Sequence, residues 1–160
     1  MKLRLLTLSL LLTATVYAAA PGWQTYNDMS GVYKISYPKT WNVMTKGNAL
    51  VISSPGGAGE RGVFGITPRP AGTTIEEAVD REFSVPDRPK DLQKVPSKIS
   101  GRPAMKVWGS KKGDPNTRVV EYYVQTGEQQ FYILFQCPQA AAGGFGPVFS
   151  GMINSIEFLK

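Results

Sequence analysis

The chain has 160 residues, with 18 lysines and arginines against 12 aspartates and glutamates and a formal net charge of +6. Its 42% hydrophobic fraction excludes a disordered chain, and 17 glycines and 12 prolines predict short elements joined by many turns. The chain contains no histidine, which excludes Ser-His-Asp and Cys-His nucleophile systems, histidine general bases and histidine metal ligands.

The first residues are typical of an export signal. A positive segment over 1–4 precedes an apolar stretch over 5–16, and small residues around Ala18 suit cleavage there. The apolar stretch is too short to span a bilayer, although an uncleaved anchor is the alternative. We therefore predict a signal peptide over 1–18. The remaining 19–160 would form one exported domain, periplasmic or extracellular, without a transmembrane span.

Strands are predicted to follow. Tyr33, Ile35 and Tyr37 share one face of a strand that Pro38 ends, and extended structure restarts at 41–43 and 50–52. A glycine-rich segment over 53–62 then reads as a mobile hairpin loop before a short strand at 63–66. The glycines of 56–59 invite a phosphate-binding interpretation, but a strand rather than a helix follows them, which favours a plain loop or a partner-contact loop.

A capping box predicts the first helix, because Thr74 stands three residues before Glu77. About three turns should follow, ending before Pro86. Glu76 and Asp80 lie one turn apart, as a hard-cation site would need, but two ligands do not make a site. Because Glu77 can pair with Arg81, we predict a solvated helix face. The apolar face of this helix comprises Ile75, Ala78, Val79 and Phe83.

The second half predicts more strands and a last helix. Prolines 86, 89 and 96 indicate an exposed connection, a strand follows over 98–108, and 111–116 forms a turn. The segments 118–125 and 130–137 form the clearest hairpin, apolar on both faces and hence central in the sheet. A flexible 140–144 precedes a helix with Pro147 in its first turn. This order predicts an α+β fold with a mostly antiparallel sheet between helices.

Several segments resemble a known family. They are Tyr33-x-Ile35-x-Tyr37-Pro38-x-x-Trp41, then Ile99-Ser100-Gly101-Arg102-Pro103-Ala104, the aromatic hairpin 121–134, and the closing Phe149-x-x-Met152-Ile153-x-Ser155-Ile156-x-Phe158. Together they look like the PsbP-like group of the Mog1/PsbP fold, over nearly all of 19–160. The resemblance implies an α/β/α sandwich. It also implies binding rather than catalysis, since members include subunits and assembly factors of photosynthetic membrane complexes, a partner of a small nuclear GTPase and exported bacterial proteins.

The candidate chemistry is sparse. Cys137 is the sole cysteine, so it forms no internal disulfide, and its neighbours Gln136 and Pro138 offer no charge to activate it. We predict a buried core residue. The tryptophans 23, 41 and 108 are expected to pack in or on the core, with Trp23 the most open to a contact role near the predicted mature terminus.

The basic residues are scattered, without the interleaved aromatics of a nucleic-acid platform, so we expect no nucleic-acid partner. A basic face could still meet anionic lipid or an acidic protein surface. Its members would be Lys111 and Lys112 with Arg61, Arg69, Arg88, Lys90, Lys94 and Lys98. The candidate partner-contact residues are Arg61, Lys111, Lys112 and Trp23.

Three functions fit these patterns. The first is a non-enzymatic exported domain that binds a protein or membrane-associated complex, needing no cofactor. The second is a small-ligand or lipid carrier, which predicts a closed apolar cavity under one of the tryptophans. The third is an acid-dependent hydrolase, which needs two acids converging in a cleft. We favour the first, because no pattern of residues marks catalysis.

Overall fold

A computed structural model describes residues 22–159, except positions 58, 71, 73, 88 and 128. The predicted signal peptide, its cleavage site near Ala18, and Arg88 lie outside these residues. A 3-10 turn over Gln139–Ala141 precedes the last helix. The elements are β1 (Trp23–Asn27), β2 (Tyr33–Pro38), β3 (Asn42–Lys46), β4 (Ala49–Ser53), β5 (Val63–Pro70), α1 (Ile75–Phe83), β6 (Gln93–Ile99), β7 (Arg102–Lys111), β8 (Asp114–Thr126), β9 (Gln129–Pro138), α2 (Ala142–Asn154) and β10 (Glu157–Phe158).

The main sheet has seven strands in the order β3-β4-β5-β9-β8-β7-β6, and every neighbouring pair is antiparallel. This confirms the predicted α+β class and places the aromatic hairpin β8–β9 inside the sheet. A second, three-stranded sheet has the order β1-β2-β10. It was not predicted, because β10 is only two residues long and pairs with Lys34 and Tyr33 far away in the chain.

Side chains alternate between two covered faces, as the apolar pattern of β9 predicted. Phe131, Ile133 and Phe135 point to the face covered by α2 and β2, where the larger core lies. Tyr132 and its cross-strand neighbour Tyr123 point to the opposite face, where α1 packs. We call these the α2 face and the α1 face of the sheet. One helix on each face gives the α/β/α layering that the family resemblance implied.

Helix α1 begins where its capping box predicts. The Glu77 amide donates to Thr74 Oγ1 over 3.2 Å, and the Thr74 amide donates to the Glu77 carboxylate over 2.9 Å. The helix spans nine residues, about two and a half turns. The expected pairing of Glu77 with Arg81 is wrong, because the cap occupies the Glu77 carboxylate and no ion pair joins these two described residues.

Helix α2 begins earlier than predicted, at Ala142 rather than near Pro147, so 140–144 is not a free linker. Four glycines in α2 lower its helix propensity, but its aromatic residues fix it against the sheet. Phe149 stacks on Phe135 at 4.2 Å between ring centroids, and Phe145 meets Trp41 edge-on at 6.0 Å. Tertiary packing therefore overrides local preference.

Two connections are shorter than predicted. The expected exposed segment through Pro96 already contains β6 from Gln93 onward, and this strand lies at the edge of the sheet, where proline is tolerated. The expected turn over 111–116 contracts to Lys112 and Gly113. The glycine-rich loop does join β4 to β5, and its ends are closed by hydrogen bonds between Ser54 and Gly62 of 2.9 and 3.0 Å.

Candidate binding groove

A groove of about 320 Å³ lies between the end of α1, the connection after it, and the α1 face of the sheet. We call it the α1 groove. Its floor includes Val107, Val119 and Leu134, and its wall includes Val85 and Leu92. Helix α1 packs on β7 and β8 and does not extend over the neighbouring part of this face, where Leu134 is half-buried. Val107 and Val119 are buried, whereas the apolar side chain of Leu134 remains partly reachable from solvent.

Polar side chains form the rim of the groove. Lys111 and Lys112 stand on one side, at the β7–β8 turn, and Glu82 stands on α1. Lys112 Nζ lies 4.0 Å from the Asp87 carboxylate, but both groups are exposed, so this pair contributes little stability. Lys112 is therefore only weakly neutralised.

Hydrogen bonds hold this rim in place. The Asp91 carboxylate accepts the Ser110 amide and hydroxyl over 2.9 and 2.8 Å, which ties the connection after α1 to β7. The Ser110 hydroxyl is the main cause that lowers the pKa of Asp91, so this carboxylate is charged at neutral pH. In the floor, Tyr132 Oη donates to the Glu121 carboxylate over 2.6 Å.

A second depression of about 330 Å³ adjoins the first, and Lys111 and Gln136 line both. We call it the basic cleft, because Arg61 and Lys111 reach it from separate hairpins. Asp114 also borders it, but its carboxylate accepts the Thr117 hydroxyl over 2.6 Å and the Asn116 amide over 3.1 Å. The Thr117 hydrogen bond is the main cause that lowers the pKa of Asp114.

Cys137 borders the basic cleft, and strand pairing places Arg118 directly opposite it. The neighbours of Cys137 in the sequence carry no charge, so they did not predict that Arg61, Lys111 and Arg118 lie near it. Burial nevertheless outweighs them, because the side chain is only 2% exposed and desolvation raises the pKa of the thiol even though Arg118 favours the thiolate. The prediction of a buried core cysteine is confirmed.

The four candidate contact residues do not share one site. Arg61 and Lys111 meet in the basic cleft, and Lys112 lies beside them on the rim of the α1 groove. Trp23 lies on the other side of the sheet, half-buried against α2, where a Cβ added to Gly151 would be 2.8 Å from its ring.

The other described members of the predicted basic face do not lie together either. The Arg69 guanidinium lies 4.5 Å from the centre of the Tyr132 ring, and Lys94 pairs with Asp80. The Glu76 and Asp80 face is exposed, as predicted. Among the described residues, no group of three or more Cys, Asp or Glu side chains is arranged to hold a metal ion. Neither depression is lined by a tryptophan.

Sequence patterns missed the apolar part of the site, although one signal was present. A nine-residue helix is about 14 Å long, whereas seven strands extend over about 29 Å. A single helix of the predicted length cannot cover such a face. The alternating apolar residues of β8 and β9 would then have predicted an incompletely covered position at Leu134.

The helices α1 and α2 have 9 and 13 residues, and within residues 22–159 as described no helix is long and apolar enough to cross a membrane.

No family model matches the chain, and no curated protein matches it in sequence. Its fold, however, matches 23 solved chains. The cyanobacterial PsbP protein CyanoP from Synechocystis is similar with a TM-score of 0.63 and 16% identity, over 92% of this chain and 98% of that one.

Two further solved structures are similar. LpqN of Mycobacterium tuberculosis, described as involved in cell envelope biogenesis, has a TM-score of 0.59 and 9% identity, over 86% of this chain and 91% of that one. A protein from Bacteroides thetaiotaomicron has a TM-score of 0.57 and 19% identity over 85% of this chain, which spans 48% of that protein's length. At these identities the likeness is one of fold. The chain has a PsbP-like fold, as its motifs predicted.

Proposed function

We propose that this chain is an exported, non-catalytic binding module that engages a protein of a membrane-associated complex through the α1 groove. The observation that carries the proposal is the apolar sheet surface that the short helix α1 leaves open, bordered by Lys111 and Lys112. Exposed apolar surface with a polar rim is typical of protein interaction sites. The predicted signal peptide and the envelope role described for LpqN support an exported location.

The state of the acidic residues supports a non-catalytic role. A general acid needs a carboxyl group whose pKa is raised into the neutral range. The pKa values of Asp91 and Asp114 are lowered instead, because hydroxyl groups of Ser110 and Thr117 donate to their ionised forms. Glu121, in the floor of the groove, accepts the hydroxyl of Tyr132. These carboxylates stabilise the local structure around the groove.

Two valines of similar exposure provide a matched test. Val85, on the wall of the groove, is 38% exposed, and Val95, on the edge strand β6, is 40% exposed. Each is replaced in turn by a photoreactive amino acid in the full chain, expressed in its own organism, and the cells are irradiated and fractionated. We expect a discrete protein adduct from position 85 in the envelope fraction and none from position 95. Equal adducts from both positions, or none from position 85, would contradict the proposal.

A further inference from the structure

We infer that the segment bound by this module is an extended stretch of a partner protein that combines a bulky apolar side chain with a nearby carboxylate. The apolar side chain would enter the α1 groove, and the carboxylate would lie between Arg61 and Lys111 in the basic cleft. This inference rests on the proposed function and names the chemistry of its partner.

The α1 groove and the basic cleft are continuous along strand β9. Leu134 lies in the apolar floor, Gln136 lies on the same face two residues further along β9, and Gln136 also lines the basic cleft. Residues two apart in a strand are separated by about 7 Å. A segment running parallel to this strand therefore passes from apolar to cationic surface within two to four of its own residues.

The charges set the direction of the bound segment. Arg61 and Lys111 face the basic cleft, and neither makes an ion pair with the residues that the structure describes. The Arg61 Nε group donates to the Gly56 carbonyl, which orients the side chain. Asp114 offsets part of this charge, and Glu82 stands near the α1 end of the groove. A carboxylate is therefore favoured at the cleft and disfavoured at the α1 end.

The shape of the site favours a protein segment over a lipid. Pockets for small ligands enclose most of the ligand surface, whereas the α1 groove is partly open to solvent and would leave part of an acyl chain in water. The Gln136 amide borders the groove and can donate to and accept from the backbone of an extended peptide. The Ser110 hydroxyl, whose hydrogen is donated to Asp91, can accept a backbone N–H. The basic cleft is not lined by aromatic residues on which nucleobases could stack.

The test uses the full chain and fluorescent synthetic peptides. One peptide carries Leu-Phe followed after two glycines by Asp-Asp, and its matched peptide carries Asn-Asn instead. We expect fluorescence anisotropy to show binding of the acidic peptide that is about tenfold tighter than that of the Asn-Asn peptide, as about 1.4 kcal/mol of charge interaction would give. The difference should shrink as salt is raised.

Protein variants assign the effect to the basic cleft. The double variant Arg61→Gln with Lys111→Gln should bind both peptides equally weakly. The control, Arg102→Gln with Lys98→Gln, removes the same charges at the exposed β6–β7 turn, at the opposite end of β7, and should retain the tenfold preference. Equal binding of both peptides to the unaltered chain, or the same loss in both double variants, would overturn the inference.

Two further outcomes separate this inference from the proposed function. Binding to vesicles of anionic phospholipid without binding to any peptide would overturn the inference in favour of a membrane surface. If no peptide binds but position 85 still cross-links to a protein, the inference fails and the proposed function stands. If both experiments fail, the proposed function fails as well.

Discussion

Cys137 shows how burial and charge compete at a single side chain. Arg118 lies opposite it, and Arg61 and Lys111 border the same cleft, yet burial raises the pKa of the thiol. Because the thiolate is the reactive form, the folded protein presents neither the charge nor the access that alkylation requires.

We therefore expect iodoacetamide to modify Cys137 in the folded chain at pH 8 at least about a hundredfold more slowly than in urea, since only rare unfolding exposes the thiol. Mass spectrometry of the quenched reaction measures both rates. Similar rates in the two states would show that the thiol is accessible and would contradict this prediction, and a faster rate in the folded chain would indicate an activated thiolate.

Sequence reasoning succeeded for Cys137 because alternation along β9 places it on the same face as Phe131, Ile133 and Phe135. It did not find the cations, because Arg118 comes close only through strand pairing and Arg61 only through the β4–β5 loop. The same holds for the candidate site. Arg61, Lys111 and Lys112 were named as members of a wider basic face, and the fold brought them beside apolar residues that no local pattern had marked.

At the scale of elements, α2 combines poor helix propensity with tight packing. Gly144 has open space where a Cβ would be added, whereas a Cβ on Gly151 would be 2.8 Å from the Trp23 ring. Both glycines lie in α2. Replacement of Gly144 by alanine therefore tests the effect of backbone entropy on stability, and replacement of Gly151 tests the effect of side-chain packing.

Gly144→Ala should raise the free energy of unfolding by about 0.5–1 kcal/mol, because alanine favours the helix. Gly151→Ala should lower it by about 1–3 kcal/mol, because Trp23 must move out of its packed position. Urea denaturation of the two variants measures both changes. Stabilisation by both substitutions would mean that Trp23 is free to move, as a contact residue would be.

The contrast between the helices has a physical cause. The start of α1 depends on Thr74 and Glu77, which lie within four residues, so the sequence predicted it correctly. The position of α2 depends on Phe145 meeting Trp41 and Phe149 meeting Phe64, both far away in the chain. Interactions of the second kind have no local signature.

At the scale of the whole molecule, the sheet buries several phenol groups. Burial is the main cause that raises the pKa values of Tyr33, Tyr123 and Tyr132, and nearby carboxylates add to it. Each of these tyrosines is neutral when protonated. As the pH rises, the tyrosines of the unfolded chain lose their protons at a lower pH than the same tyrosines in the folded chain. Their contribution to stability is therefore complete below about pH 10 and is lost as the pH rises above it.

We expect the free energy of unfolding to fall steeply above about pH 10, with the absorbance of these buried tyrosinates appearing together with the loss of near-ultraviolet circular dichroism. The more exposed tyrosines should titrate earlier. Replacement of Tyr132 by phenylalanine should make the fall less steep, because one ionising group is removed. Complete tyrosine ionisation with unchanged circular dichroism would contradict this prediction.

The amino-acid sequence by itself determined the fold class, the capped start of α1, the central aromatic hairpin and the core position of Cys137, because alternation and capping act between residues close in the chain. Only the tertiary structure decided the second sheet, the start of α2, and the meeting of Arg61 with Lys111 beside Val119 and Leu134. These features arise where distant strands pair and where a short helix leaves part of a wide sheet uncovered. A groove of this kind is a property of how layers fit together, so no single segment of the chain contains it.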